Sequence, residues 1–326
     1  MSHALVTGGT GFIGGHTIDR LLSAGWQVSL LARSPHRLWP RHQGRVTVIQ
    51  GDLSQDLPPL PQVDAIVHCA ADMEMHHDTR SMGRTTIAGT ERMLAAARDL
   101  RVRRFVHVSS QAVYGFDKDY QDADESTPMR VSPHAYCETK RLAEEAVWAA
   151  GRAGLPVTVV RPGFVYGPGD RRSLPPVIML LREGKLKAHI GGGMFDTGCL
   201  HVANCAEGIY LALTVDAAVG QAYHLGDGRV LTIRQLVANI SAKLGVPAPA
   251  KSVSFGVAMG MAKTIEATWR LLRRPGPPPL SAFTVAMLHR QSGFSIQKAR
   301  HQLGYVPERQ WEESLDETVA WCLEVS

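Results

Sequence analysis

The chain is poor in cysteine, and the few it has exclude two kinds of site. Cys69, Cys137, Cys199, Cys205 and Cys322 are odd in number and show neither the close spacing of a zinc knuckle nor a redox C-x-x-C. They read as reduced packing residues. No apolar run is long enough to span a bilayer, so no integral membrane segment is expected. Met1 leads directly into the apolar Ala4–Thr7 segment, without the charged and apolar regions of a secretory leader, so the expected location is cytoplasmic. Blocks of one charge are also lacking. The formal charge is +5, but the basic residues are scattered. The nearest thing to a run, Arg101, Arg103 and Arg104, reads as a solvated helix end near Leu100, and no nucleic-acid partner is expected. His76 and His77 beside Asp78 lack a matching carboxylate or cysteine cluster, and adjacent histidines rarely face one ion. They read as a loop near the mouth of a site, and no metal is expected.

What is present is a globular composition, 44% hydrophobic and 20% charged, with no internal repeat or low-complexity tract. Short apolar runs alternate with helical patterns through the first half, which is the mark of a parallel sheet wrapped on both faces. Strands are expected at Ala4–Thr7, Gln27–Ala32, Val46–Gln50, Ala65–Cys69, Arg104–Ser109 and Val157–Arg161, with helices near Phe12–Ala24, Gly83–Leu100 and Tyr136–Ala153. After Pro162 the rhythm changes. Pro168, Pro175 and Pro176 punctuate a loop-rich region, followed by helical patterns near Asn204–Val215, Thr232–Leu244, Val257–Arg273 and Trp311–Leu323. The Val257–Arg273 pattern is amphipathic and reads as a roof over an apolar substrate cavity, with an interfacial membrane helix as the alternative.

Thr7-Gly8-Gly9-Thr10-Gly11-Phe12-Ile13-Gly14 follows the first strand and opens the first helix. A dinucleotide pyrophosphate needs such a tight turn, a backbone without side chains and the N–H groups of a helix start. Gly8, Gly11, Phe12, Ile13 and Gly14 are therefore candidates to bind it. The second strand ends in Ala32-Arg33, where an NAD site usually has an acid. A guanidinium suits the extra phosphate of NADP, so Arg33, with Arg37 as a second contact, points to NADP(H), with NAD(H) as the alternative. Asp52 and Leu53 after the third strand, and Cys69, Ala70 and Ala71 after the fourth, are placed to border the adenine and the backbone of the cofactor. The fold class is therefore α/β, a Rossmann-type doubly wound parallel sheet. Residues 1–165 are expected to form the dinucleotide-binding domain, and 166–326 mainly a smaller C-terminal substrate-binding cap, with some segments returning to the first.

Tyr136-Cys137-Glu138-Thr139-Lys140 puts a phenol and an ammonium on one helical face. An ammonium can stabilise a phenolate whose unperturbed pKa is about 10. Ser109-Ser110 ends the fifth strand, on the edge where ligands of open α/β sheets bind, and a hydroxyl there can donate to a developing oxyanion.

Together with Arg161-Pro162-Gly163-Phe164-Val165-Tyr166-Gly167-Pro168-Gly169-Asp170 and Leu303-Gly304-Tyr305-Val306-Pro307, these motifs resemble the extended short-chain dehydrogenases/reductases, the NAD-dependent epimerase/dehydratase family. The 161–170 segment followed by Leu174-Pro175 is most similar to the 3β-hydroxysteroid dehydrogenase-like branch, which includes bacterial reductases of 2-alkyl-3-oxo acids. The resemblance implies catalytic roles for Ser110, four residues before Tyr114, and for Tyr136 and Lys140, with Ser109 the less favoured serine. It places Pro162 and Gly163 beside the nicotinamide carboxamide, and it implies a small-molecule ketone or secondary alcohol as substrate and a homodimer through the helices at 83–100 and 136–153. Thr86 stands where the family often has asparagine, which leaves a water relay to the lysine in doubt.

Two rival readings are a nucleotide-sugar epimerase or dehydratase and a cofactor-sensing protein without catalysis. The dehydratases commonly carry Thr-Asp-Glu where this chain has Ser110-Gln111-Ala112. Met73, Met75, Met194, Phe195, Met259 and Met261 suggest an apolar, adaptable cavity for a steroid-like or 3-oxoacyl-like substrate.

Overall fold

The computed structural model describes residues 2–74, 78–274 and 276–325. Its strands are β1 His3–Thr7, β2 Gln27–Ala32, β3 Thr47–Gln50, β4 Ala65–His68, β5 Arg104–Val108, β6 Tyr120–Ala123, β7 Val157–Pro162, β8 Phe164–Tyr166, β9 Ala188–Ile190, β10 Cys199–His201, β11 Ala222–Leu225, β12 Lys251–Val253 and β13 Ser292–Phe294. The helices are α1 Phe12–Ser23, α2 Thr79–Asp99, α3 Ala135–Arg152, α4 Leu174–Arg182, α5 Val202–Thr214, α6 Ile233–Leu244, α7 Phe255–Leu271, α8 Ala282–Leu288, α9 Gln297–Leu303 and α10 Trp311–Val325.

The architecture is the α/β one anticipated, a seven-stranded sheet in the order β11-β7-β5-β4-β1-β2-β3, parallel at every pairing. Its strands are apolar on both sides because both faces are covered. Val6, Leu30, Val67, Val106 and Val160 pack with Ile18 and Leu21 of α1 and Ile209 and Ala212 of α5. On the other face Leu5, Ile66, Phe105, Val157 and Val159 meet Met93 and Ala97 of α2 and Val147 and Ala150 of α3. The strand order reverses between β1 and β4, where Thr7 lies opposite His68. That reversal opens a crevice beyond the carboxyl ends of the two strands.

Two local differences from the sequence reading have clear causes. Helix α2 starts four residues earlier than expected, because the carboxylate of Asp78 accepts the Ser81 N–H at 2.7 Å and caps it. Pro175 and Pro176 do not mark a loop but lie in the first turn of α4, where a missing N–H costs nothing. Buried Asp170 satisfies this helix start by accepting from the N–H groups of Arg172, Ser173 and Leu174, each at 2.9 Å. The short strand β11 returns to the sheet edge beside β7.

Beyond β7, α4, α6 and α10 share a core of Ile178, Leu236, Ile240, Trp311 and Leu315. Helix α7 packs through Ala258 and Ala262 on Val285 of α8. Among the described residues, no helix is long and apolar enough to cross a membrane.

Candidate active site

The turn after β1 is pressed against the end of β4. Gly8 has φ +73°, and a Cβ there would lie 2.8 Å from the Ala70 nitrogen. A Cβ on Gly14 would meet the Gly8 carbonyl oxygen at 2.3 Å. Only glycine therefore lets α1 start this close to the strand. Gly11 caps α1 without a side-chain hydrogen bond, so the N–H groups of Phe12, Ile13 and Gly14 keep the unpaired donors of a helix start. A side-chain-free turn ending in unpaired helical N–H groups fits a pyrophosphate.

Around this turn the structure places the remaining candidates. Arg33 follows β2 and Arg37 closes the short turn at 35–37; both are exposed, and neither forms an ion pair among the described residues. Asp52 folds back on Ser54, accepting from its N–H at 2.8 Å and its hydroxyl at 2.9 Å. Leu53 is buried against Gly89, where a Cβ would come within 2.9 Å of the leucine. Cys69, Ala70 and Ala71 line the end of β4. Pro162 ends β7 and Gly163 follows it, and a Cβ on Gly163 would collide with the Gly198 carbonyl at 2.1 Å.

The end of β4 is locked by hydrogen bonds. His68 Nδ1 lies 2.8 Å from the Thr7 hydroxyl and Nε2 2.9 Å from the Thr90 hydroxyl. The Thr90 hydroxyl itself donates to the Thr86 carbonyl at 2.6 Å. Thr90 must then accept from His68 Nε2–H, and Nδ1 accepts from Thr7, whose oxygen also receives the Ala70 N–H at 3.3 Å. Burial holds the His68 pKa down at about 3, so the ring is neutral as this chain requires. The Thr86 hydroxyl accepts the Asp72 N–H at 2.9 Å. Thr86 thus anchors the loop after β4.

Ser110, Tyr136 and Lys140 meet at the carboxyl end of β5. The Ser110 hydroxyl accepts the Ala112 N–H at 3.1 Å, capping the turn that follows, and faces the Tyr136 phenol. Burial pushes the phenol up to about 12, and the Ser110 contact opposes that rise. The ammonium of Lys140 is buried and donates to the Val108 carbonyl at 2.7 Å. Burial pulls its pKa down to about 8 against the field of Glu144. The sequence reading had the ammonium lowering the phenol's pKa. In this structure the contact that opposes the rise is with Ser110, while the Lys140 ammonium is turned to the Val108 carbonyl.

The two serines separate clearly. Ser109 donates to Glu144 at 2.6 Å, away from the phenol. Fully buried Glu144 also accepts from Trp148 Nε1 at 2.9 Å and from Arg161 Nε at 3.1 Å. Arg161 continues the network to the Tyr114 hydroxyl, which lies 2.7 Å from His224 Nε2. Sequence reasoning missed Glu144, although its position four residues after Lys140 on the same helix face was a usable signal. It also missed Phe283 of α8, whose ring stands edge-on to Tyr136 at 6.2 Å, to His134 at 5.4 Å and to Phe116 at 5.5 Å; nothing local in the sequence marks it.

The methionines do not line one cavity. Met73, Met194 and Met261 are exposed, whereas Met259 packs between α7 and α8. Met75, His76 and His77 lie outside the described residues. Among the described residues, no group of three or more His, Cys, Asp or Glu side chains could hold a metal.

Comparison with known proteins bears on this geometry. The model of the NAD dependent epimerase/dehydratase family matches residues 4–226. A 4-hydroxy-2-methyl-3-oxo-4-farnesyl-3,4-dihydroquinoline-1-oxide ketoreductase of Stigmatella aurantiaca is 32% identical over 315 residues, covering 95% of this chain and 94% of that protein. A 2-alkyl-3-oxoalkanoate reductase of Stenotrophomonas maltophilia (strain K279a) is also 32% identical, over 95% of this chain and 96% of its own. The crystal structure of gox2253 superposes with a TM-score of 0.82 at 28% identity, covering 100% of this chain and 99% of that one.

Proposed function

The chain belongs to the NAD dependent epimerase/dehydratase family, the extended short-chain dehydrogenases/reductases, and is an NAD(P)-dependent oxidoreductase; from that premise we propose that it uses NADP(H) to interconvert a ketone and a secondary alcohol on an apolar substrate. One observation carries the reading. The Ser110 hydroxyl faces the Tyr136 phenol at the end of β5 and counters the rise of its pKa, and buried Lys140 lies beneath the same edge.

The glycine turn and the α1 start hold the pyrophosphate, Lys140 the nicotinamide ribose, and Arg33 with Arg37 the 2′-phosphate. When bound, the nicotinamide supplies or accepts the hydride. The protein's part is positioning and proton transfer. Ser110 and Tyr136 bind the substrate oxygen, and Tyr136 delivers its proton as the alcohol forms. A phenol that stays protonated near neutral pH suits it as the donor in the reducing direction.

An apolar substrate is supported by the ring of Phe283 against Tyr136, itself met edge-on by Phe116 and His134, and by the farnesylated and alkylated substrates named for the two relatives. A ketone reduction suits this site better than removal of water, since the residues after Ser110 are Gln111 and Ala112, without a carboxylate. The resemblance to the family leaves α2 and α3 as the proposed place of homodimer formation.

The test is Tyr136→Phe assayed with NADPH and NADH on steroid, 3-oxoacyl and aryl ketones. Turnover is expected to fall by about 10²–10⁴-fold, with NADPH still quenching protein fluorescence. Unchanged turnover refutes the assignment. Tightly bound NAD together with activity on a nucleotide sugar would favour the epimerase reading instead.

A further inference from the structure

Helix α7 packs through one side, and a second side that exposes large apolar residues has no partner among the described residues. At 100° per residue, Ala258, Ala262, Ile265 and Trp269 fall on one side, where Ala258 and Ala262 are buried against α8. Val257, Met261, Thr264, Thr268 and Leu271 fall together on another, with Leu272 at its edge. There Val257 is 56% exposed, Met261 53%, Leu271 82% and Leu272 58%. Thr264 and Thr268 divide this face into an apolar pair at each end of the helix, and large apolar side chains left exposed in this way mark an interaction surface.

The exposed charge on and just after this helix has one sign. Lys263 and Arg270 are exposed on the remaining side of α7, and Arg273 and Arg274 just beyond its end, with Arg274 over the Trp269 ring; none of them pairs with a carboxylate among the described residues. The acid of this stretch, Glu266, is engaged with the N–H of Ala282 at 2.9 Å on the packed side.

We propose that α7 docks this protein on an anionic lipid surface, with Val257, Met261, Leu271 and Leu272 entering the acyl boundary and Arg270, Arg273 and Arg274 lying against headgroup phosphates. The charge pattern selects this occupant over a second copy of the chain. Parallel pairing of two α7 helices would set the arginines against each other. Antiparallel pairing would set them against a helix start that has no acid in its first turn and carries the positive end of the dipole. An anionic surface offers the opposite sign to all of them at once. The docking stands apart from the reaction. If the proposed reaction also holds, α8, which lies under α7 and bears Phe283, brings the crevice close to the phase where an apolar ketone dissolves.

The experiment is co-sedimentation of the full chain with phosphatidylcholine vesicles, with and without phosphatidylglycerol, at low and high salt. Two variants accompany it, Leu271→Glu/Leu272→Glu and Arg270→Gln/Arg273→Gln/Arg274→Gln, each checked for an unchanged thermal midpoint and unchanged NADPH binding. The wild type is expected to bind the anionic vesicles and to release as salt rises. The arginine variant is expected to bind about a hundred-fold more weakly, and the leucine variant at least about ten-fold more weakly. Absence of wild-type binding to anionic vesicles overturns the proposal, as does binding that neither variant weakens. A wild-type dimer that Leu271→Glu/Leu272→Glu converts to a monomer overturns it too, assigning the face to a second copy.

Discussion

Replacing Glu144 by Gln tests the polar network beneath the site. Glu144 is fully buried and holds the guanidinium of Arg161 in a paired hydrogen bond, while Ser109 and Trp148 occupy its remaining lone pairs. Removing the charge leaves Arg161 buried without a counter-ion, a loss of about 3–5 kcal/mol. A chain of 326 residues has an unfolding entropy of roughly 0.7 kcal/mol/K, so the thermal midpoint should drop by about 4–7 °C. Arg161→Met should cost a similar amount by stranding the carboxylate, and the double variant should lose clearly less than the sum, because its two stranded charges are gone.

A second readout separates function from packing. Lys140, at about 8, feels Glu144 on its own helix, Cys69 beside it, and His68 and His107 on β4 and β5. Of these, the carboxylate and Cys69 favour the ammonium, so its loss should move the alkaline limb of NADPH binding to lower pH. Calorimetric melting of the four proteins and a pH series of NADPH titrations measure both effects. Additive losses in the double variant, or a binding limb that stays in place, would show that the reasoning about this pair is wrong.

Other perturbations act on single steps. Gly14→Ala should weaken NADPH binding by more than about ten-fold and lower stability by about 1–3 kcal/mol, since the new Cβ meets backbone at 2.3 Å; a normal isotherm would contradict the packing described. Arg33→Ala should weaken NADPH binding by roughly 10–100-fold, the value of a charge-assisted hydrogen bond, and leave NADH binding unchanged; equal losses for both would remove the 2′-phosphate assignment. Acid should unfold the chain. His68, His201 and His224 are held near 3, 4 and 3 by burial, and His107 lies well below its ordinary value. The unfolded chain takes up these protons near pH 6.5, so stability falls as pH drops below that value, by about 1.4 kcal/mol per unit for each histidine. Asp227, raised by burial from 3.8 to about 6, acts oppositely between those values and offsets one of them. Urea melts from pH 7 to 5 should show net proton uptake on unfolding, and a flat profile would refute the neutral histidines.

Much of the sheet and of the site was legible because its signals are local. A glycine turn between strand and helix, a phenol and an ammonium one helical turn apart, and serines at a strand end each lie within a few residues. The dipeptide Pro175-Pro176 misled for a physical reason: proline breaks a helix interior but suits its first turn, and the Asp170 carboxylate that settles the matter is identified only by its hydrogen bonds. The strand Ala222–Leu225 is too short to show a pattern, and its place beside β7 depends on a long crossover. Glu144 lies on an amphipathic helix where such a residue is ordinarily solvated, and only the approach of Arg161 from β7 makes it part of a buried pair.

The order of apolar runs and the spacing of glycine, tyrosine and lysine determined, without coordinates, that this chain folds as a doubly wound sheet and at which edge of it the candidate site residues gather, because backbone sterics and helix periodicity act over a few residues. Which serine faces the phenol, where the lysine points, that Phe283 stands 147 residues along the chain yet beside Tyr136, and which side of α7 is left bare were decided by packing between distant segments. Those contacts depend on how layers close on one another, and no short stretch of sequence carries that information.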